Sequence, residues 1–111
     1  MPINSGIAHA PVAVGTTDTT ILNPTAGRSV ITHAVVHDTN GGAQTIEFFD
    51  SSDATSAAGE RIGQVVLAAN ETKTPDFLRG LSIGKDRFLI AKASAAGANI
   101  KPTTTNYSGD S

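Results

Sequence analysis

Two histidines four residues apart, His33 and His37, are the first candidates for chemistry in this chain. On a helix, that spacing would turn both imidazoles to one side, where they could share a zinc ion. The residues around them argue against a helix. Val30, Ile31, Thr32, Val35 and Val36 are β-branched, and such a run favours a strand. At ~3.3 Å per residue, a straight strand holds positions four apart ~13 Å from each other on one face. Zinc–nitrogen bonds are only ~2 Å, so the pair cannot chelate one ion. Position 34 is Ala, where a metalloprotease helix would carry its general base. The two side chains therefore read as surface or interface histidines. If they face a subunit contact, acid would weaken that contact.

Three other constellations fail on similar grounds. Gly80-Leu81-Ser82-Ile83-Gly84-Lys85 has the look of a phosphate loop, but its glycines are one residue too close and Asp86 follows the lysine. Ser or Thr is needed there for magnesium. The segment also sits between strands, with no helix N-terminus to meet a phosphate. Asp50 and Asp53, with Asp38 near them, could offer oxygens to calcium, but Ca²⁺ takes six or more ligands from an alternating acidic loop that is missing. Ser, His and Asp all occur, yet no nucleophile elbow singles any out. Carboxylate pairs drawn from Glu47, Glu60 and Glu71 have no distinguishing context. Aromatic residues are 5% of the chain, with no Trp. Phe48, Phe49, Phe77, Phe88 and Tyr107 are mostly needed for the core, which leaves no platform for a glycan. The expectation is no enzyme, no cofactor and no metal.

The elements around these residues are strands. Residues 1–10 read as an extended arm, and from Pro11 short extended runs alternate with turn residues. Pro11–Val14, Thr19–Leu22, Arg28–Asp38, Ala43–Asp50, Ile62–Ala68, Thr72–Leu78, Leu81–Ile83, Arg87–Ala93 and Ala98–Tyr107 are the extended segments. Pro75 and Gly80 break the middle of this series. In Arg28–Asp38, alternation places Val30, Thr32, Ala34 and Val36 on one face and Ile31, His33, Val35 and His37 on the other. Both faces carry apolar members, so cover on both sides is expected. Asn40-Gly41-Gly42 predicts a hairpin to Ala43–Asp50. Ser51–Gly59 reads as a mobile polar loop, with a short helix through Ala54–Ala58 as the weaker alternative. Ser108–Ser111 is expected to fray. The fold class is all-β: an antiparallel β-sandwich of jelly-roll or related Greek-key type, with seven or eight short strands. A closed barrel is the runner-up.

At 111 residues the chain makes one domain. Charged residues are 16%, against a usual ~25%. Such a composition suits close-packed strands and weakly charged contact surfaces. The net charge of −2 offers no basic footprint for nucleic acid. The charges are unevenly placed: residues 1–60 hold one cation, Arg28, against six carboxylates, while residues 61–111 hold seven cations against four. Either adjacent strands neutralise each other, or opposite parts of the fold attract neighbouring copies. There is no cysteine, so disulfides and thiolate metal sites are excluded. No signal-peptide pattern opens the chain, and no apolar run reaches the ~20 residues of a membrane span. Synthesis in a cytoplasm is expected.

Four stretches resemble small β-sandwich structural proteins of tailed bacteriophages, including capsid decoration (cement) proteins and related head, neck and tail domains. Thr19–Arg28 is similar to their strand, Pro-x-Gly-Lys/Arg turn, strand, with Thr25 and Ala26 lengthening the turn. Val30–Gly42 resembles the next strand with its Asn/Thr/Gly hairpin. Leu67–Thr72 resembles the loop before a fifth or sixth strand. Gly84–Ala93 with Ala95–Ile100 resembles the closing hairpin. The resemblance implies a virion structural protein: a decoration subunit on the capsid surface, binding the major capsid protein lattice, favoured as a homotrimer. A neck, tail or fibre-anchoring adaptor is the alternative it leaves, and a glycan-binding sandwich is a further one outside it. No membrane and no direct nucleic-acid partner are implied. The arm could reach a neighbouring subunit, and the expected interface residues are Pro2, Ile3, Ile7, His33, Val35 and His37.

Overall fold

The computed structural model describes residues 3–24, 27–39 and 41–107, with 3–8 and 58 described by backbone alone. Among the described residues ten strands are formed: β1 (Ile3–Ala8), β2 (Val12–Val14), β3 (Thr19–Leu22), β4 (Arg28–Asp38), β5 (Gln44–Ser51), β6 (Gly59–Leu67), β7 (Thr72–Lys73), β8 (Ser82–Gly84), β9 (Phe88–Ala93) and β10 (Ala98–Tyr107). Sheet A runs β1-β10-β4-β7, with β2 also on β10 and β8 also on β4; sheet B runs β3-β9-β5-β6. Every pairing is antiparallel. The chain passes between sheets after β2, β3, β4, β6, β8 and β9 and stays in one sheet only at β1–β2, β5–β6 and β7–β8. This is a jelly-roll sandwich, as the alternating short runs predict.

The core lies between the sheets. Ile31, Ala34, Val36, Ala98 and Ile100 face Ile46, Phe48, Leu67, Leu89 and Ala91, with Leu78 and Ile83 closing one side. Leu78 arrives from a single 3₁₀ turn, Asp76–Leu78, that Pro75 starts in place of the predicted strand through 78. The turn also brings Phe77 edge-on to Phe48, ring centroids 5.6 Å apart. Gly63, opposite Phe48 on β6, leaves room for that ring: a Cβ there would come within 2.7 Å of Phe77.

Two predicted hairpins are not hairpins. β4 already pairs with β10 on one edge and with β7 and β8 on the other, so no edge is left for β5. The segment after β4 is a corner between sheets instead. Thr39 donates its backbone N–H and its hydroxyl to Gly97 O, at 2.6 and 2.7 Å. Buried Gln44 donates from Nε2 to buried Asp38 Oδ1 at 2.7 Å, joining the end of one sheet to the start of the other. Asn40 lies outside the described residues. The 94–97 turn is the matching corner from β9 to β10, where Ser94 and Thr45 exchange bonds of 2.8 and 2.9 Å.

The alternation expected along β4 also breaks. Thr103 faces His33 while Thr104 faces Ile31, leaving Thr32 as an extra residue. Such a bulge reverses the side-chain phase. Ile31 therefore points inward together with Ala34 and Val36, and the other face is only partly covered: Val30, Val35 and His37 are half-buried, Thr32 and His33 exposed. Pro102 occupies the middle of β10 because of where its missing N–H falls. Its carbonyl accepts from His9 N at 3.1 Å, and a residue of an antiparallel strand turns N–H and C=O to the same side. The gap therefore faces the His9–Pro11 joint between β1 and β2 and removes no bond to β4.

The loop after β5 is tied down, contrary to the mobile loop expected. Ser51 Oγ donates to Thr55 O at 2.6 Å, Thr55 N and Oγ1 both donate to Asp53 Oδ1, and a 3₁₀ turn follows at Ser56–Ala58. Ser56 N then donates to Asp18 Oδ2 at 2.9 Å. The loop crosses the outside of sheet B as a strap, in the region where Ile90 is fully buried apart from the main core.

Candidate functional site

The outer face of sheet A is built from alternate residues of its two long strands. In register, Arg28 lies beside Tyr107, Val30 beside Thr105, His33 beside Thr103, Val35 beside Lys101 and His37 beside Asn99. Thr72, Ser82 and Ala13 extend the surface on the neighbouring strands. Of the six interface residues expected from sequence, His33, Val35 and His37 come together here, brought to one face because all three lie past the bulge. Ile3 and Ile7 belong to β1, whose backbone runs along β10 of the same sheet; Pro2 lies outside the described residues. The arm read at residues 1–10 thus contains a strand of the domain's own sheet.

No described side chain on this face is a carboxylate. Its charges are Arg28, whose guanidinium lies 4.4 Å from the Tyr107 ring centroid, and Lys101, which is exposed. Tyr107 therefore stacks outside the sheet and not in the core. The two histidines do not converge: His37 Nδ1 lies 2.6 Å from Thr72 Oγ1, while His33 stands open beside Thr103. The third histidine, His9, places Nε2 2.9 Å from the buried Thr104 Oγ1. Sequence reading passed over it, since only contact across the chain's ends gives it a partner. Among the described residues, no group of three or more His, Cys, Asp or Glu side chains is placed to hold a metal ion.

The sheet B side has the opposite character. Glu47 bonds Arg61 at 2.9 Å and lies in register with Lys92, and Asp50 bonds Arg87 at 2.9 Å. Asp18, Asp53 and Glu60 add three carboxylates. Five acids against three bases leave this side at −2, while Arg28 and Lys101 set the sheet A face at +2. The loop charges Glu71, Lys73, Asp76, Arg79, Lys85 and Asp86 cancel.

Two smaller features complete the surface. An open groove of about 550 Å³ runs between β6 and residues 72–77, lined by Val66, Lys73, Pro75 and Phe77 among others. Lys73 Nζ donates to the Val66 carbonyl at 2.7 Å, which covers part of the β6 edge against strand addition. The turn at Gly84–Arg87 closes through Arg87 N to Gly84 O at 3.1 Å, with Asp86 at φ 62°, so the phosphate-loop-like stretch is a strand connection. No described aromatic side chain is fully exposed.

No family model and no curated protein matches the chain. Its fold is similar to that of a solved Bacillus endospore appendage structure. The structure described under "Bacillus endospore appendages form a novel family of disulfide-linked pili" aligns over 97% of this chain and 89% of its own length, with a TM-score of 0.54 and 15% identity. A crystal structure of PirA covers 94% of this chain and 95% of its own, at 18% identity and a TM-score of 0.40. The first likeness supports the sandwich architecture; the second is too low to add to it.

The strap supplies a pH-dependent contact. The Ser56 N–H donating to Asp18 holds its carboxyl below the usual 3.8; the Ser56 side chain and nearby Lys92 help, and burial opposes them. A carboxyl depressed on folding stabilises above its unfolded pKa, and that contribution is lost as pH falls through the folded value. Asp18→Ala is therefore expected to be less stable than the parent at pH 7. The difference should shrink as pH falls from 7 down through the ordinary carboxylate range, as measured by urea unfolding over that series.

Proposed function

We propose that this chain is a structural subunit, not an enzyme, and that it works by laying the outer face of sheet A against other protein in a large assembly. The observation that carries the reading is that face itself: two long strands presenting Thr, Val, His and Asn with Arg28 and Lys101, and, among the described residues, no carboxylate. Docking such a face gains ~25 cal/mol per Å² of apolar area, before ordering costs. Few ions need to be stripped of water, which keeps the desolvation cost low. Repeated over a lattice, modest contacts add up to a rigid shell or fibre.

The finer reading is a capsid decoration subunit at the virion surface, bound to the major capsid protein lattice as a homo-oligomer, with a trimer favoured. The phage-like patterns at Thr19–Arg28 and Leu67–Thr72 support it, while the two hairpins of the resemblance are corners between sheets. A neck, tail or fibre-anchoring adaptor is the alternative on the same patterns. The likeness to the endospore appendage structure supports the shared, coarser statement that sandwiches of this kind serve as building blocks. With no cysteine, this chain would associate without disulfides. A glycan-binding module gains no support from aromatics that are all at least partly covered. His33, Val35 and His37, with Ile3, Ile7 and Pro2 of the arm, remain the residues proposed for contact. Quantifying the chain in purified native particles tests the reading: hundreds of copies per particle fit decoration, a handful fit an adaptor, and absence from every particle refutes both.

A further inference from the structure

We infer that copies of this chain associate head to tail, the sheet A face of one against the sheet B side of the next. The inference rests on the structural-subunit reading and adds the partner and the geometry. The five acids of the sheet B side all come from residues 1–60, whereas the bases late in the sequence divide between that side, the loops and Lys101 on the sheet A face. Glu47, Asp50, Asp53 and Glu60 all fall on β5, β6 or the strap between them, and Asp18 clips the strap. Arg28 and Lys101 fall on β4 and β10 and point away from the core. Ion pairing neutralises Glu47 and Asp50, but among the described residues no ion pair joins Asp53 or Glu60 to a cation, or Arg28 or Lys101 to a carboxylate. The sheet A face at +2 and the sheet B side at −2 are therefore complementary in one molecule.

This arrangement selects against the symmetric alternative. Two sheet A faces packed together would set Arg28 and Lys101 of both copies into one contact with no acid between them, and like charges brought together cost affinity. A contact between different surfaces has no built-in closure, so it generates rings or open stacks. Exposed charges beyond ~8 Å are screened at physiological salt. The charges thus choose the orientation and the rate of encounter, while Val30, Val35 and the threonines supply the buried area.

The test is sedimentation of the full chain at high concentration in low and high salt, with two double variants. Arg28→Glu with Lys101→Glu reverses the sheet A face, and Asp53→Asn with Glu60→Lys, which keeps the Oδ1 that accepts from Thr55, turns the other side from −2 to +1. All four positions are exposed, so folding, checked by circular dichroism, should be retained. The parent is expected to form oligomers that dissociate at high salt. Each variant alone should be shifted to monomer by tenfold or more in apparent Kd. An equimolar mixture should recover the oligomers, because each variant keeps the surface the other needs. Oligomers unchanged in either variant would overturn the head-to-tail contact while leaving the structural-subunit reading intact. A parent that stays monomeric yet is found in native particles would overturn self-association alone. A parent that is monomeric and absent from all particles would sink both.

Discussion

Phe48→Ala is expected to destabilise the domain by about 3–5 kcal/mol, the usual range for truncating a fully buried phenylalanine. Phe48 has no exposed surface and stands at the middle of β5 between β6 and β9. Its ring meets Phe77 edge-to-face, and such pairs add ~0.5–1.5 kcal/mol beyond area burial. Domains of this size are stable by only ~5–15 kcal/mol, so the variant should unfold at much lower urea or fail to accumulate. Phe49→Ala, one residue on but half-buried on the outer side, should cost clearly less. If the two variants unfold at the same midpoint, the placement of the core is wrong. Gly63→Ala probes the same contact from β6, since the added Cβ would overlap the Phe77 ring; overpacking of this kind costs ~1–3 kcal/mol.

The second large effect is expected at the corner between sheets. Asp38→Ala removes the acceptor of Gln44 Nε2 in a site where both residues are buried. A buried donor left without a partner costs ~1–3 kcal/mol. The corner is also where Thr39 is bonded to Gly97, so the loss should loosen both crossings at once. Hydrogen exchange of Thr39 and Thr45 amides should accelerate in Asp38→Ala well before global unfolding. Unchanged exchange at both would show that Asp38 and Gln44 do not hold the corner.

Much of this fold was legible in local chemistry. Thr19–Leu22, Arg28–Asp38 and Ala98–Tyr107 have the bounds that β-branched runs and turn residues indicate. The pairing of strands was not. A Gly-rich turn reports that the chain reverses, but whether the next strand joins the same sheet depends on edges already occupied by distant segments. For β4 those are β10, β7 and β8. The bulge at Thr32 was hidden for a similar reason, since it appears only against β10. The strap was misread because its Ser, Thr and Asp side chains bond one another and Asp18, a partner 38 positions away from Ser56. At the candidate surface, His33, Val35 and His37 were visible as one alternating set. The excess of acids in residues 1–60 was visible along the chain, but only the topology shows that five of them share the sheet B side.

The account depends on the outer face of sheet A being covered by protein in the working assembly. Lys101 stands on that face beside Val35, while Lys85 stands in the Gly84–Arg87 turn, and both are exposed in the single chain. Amine-reactive footprinting of the purified native particle and of the free chain compares them directly. Lys101 labelling is expected to fall at least tenfold on assembly relative to Lys85; equal labelling of Lys101 in particle and free chain would contradict the account.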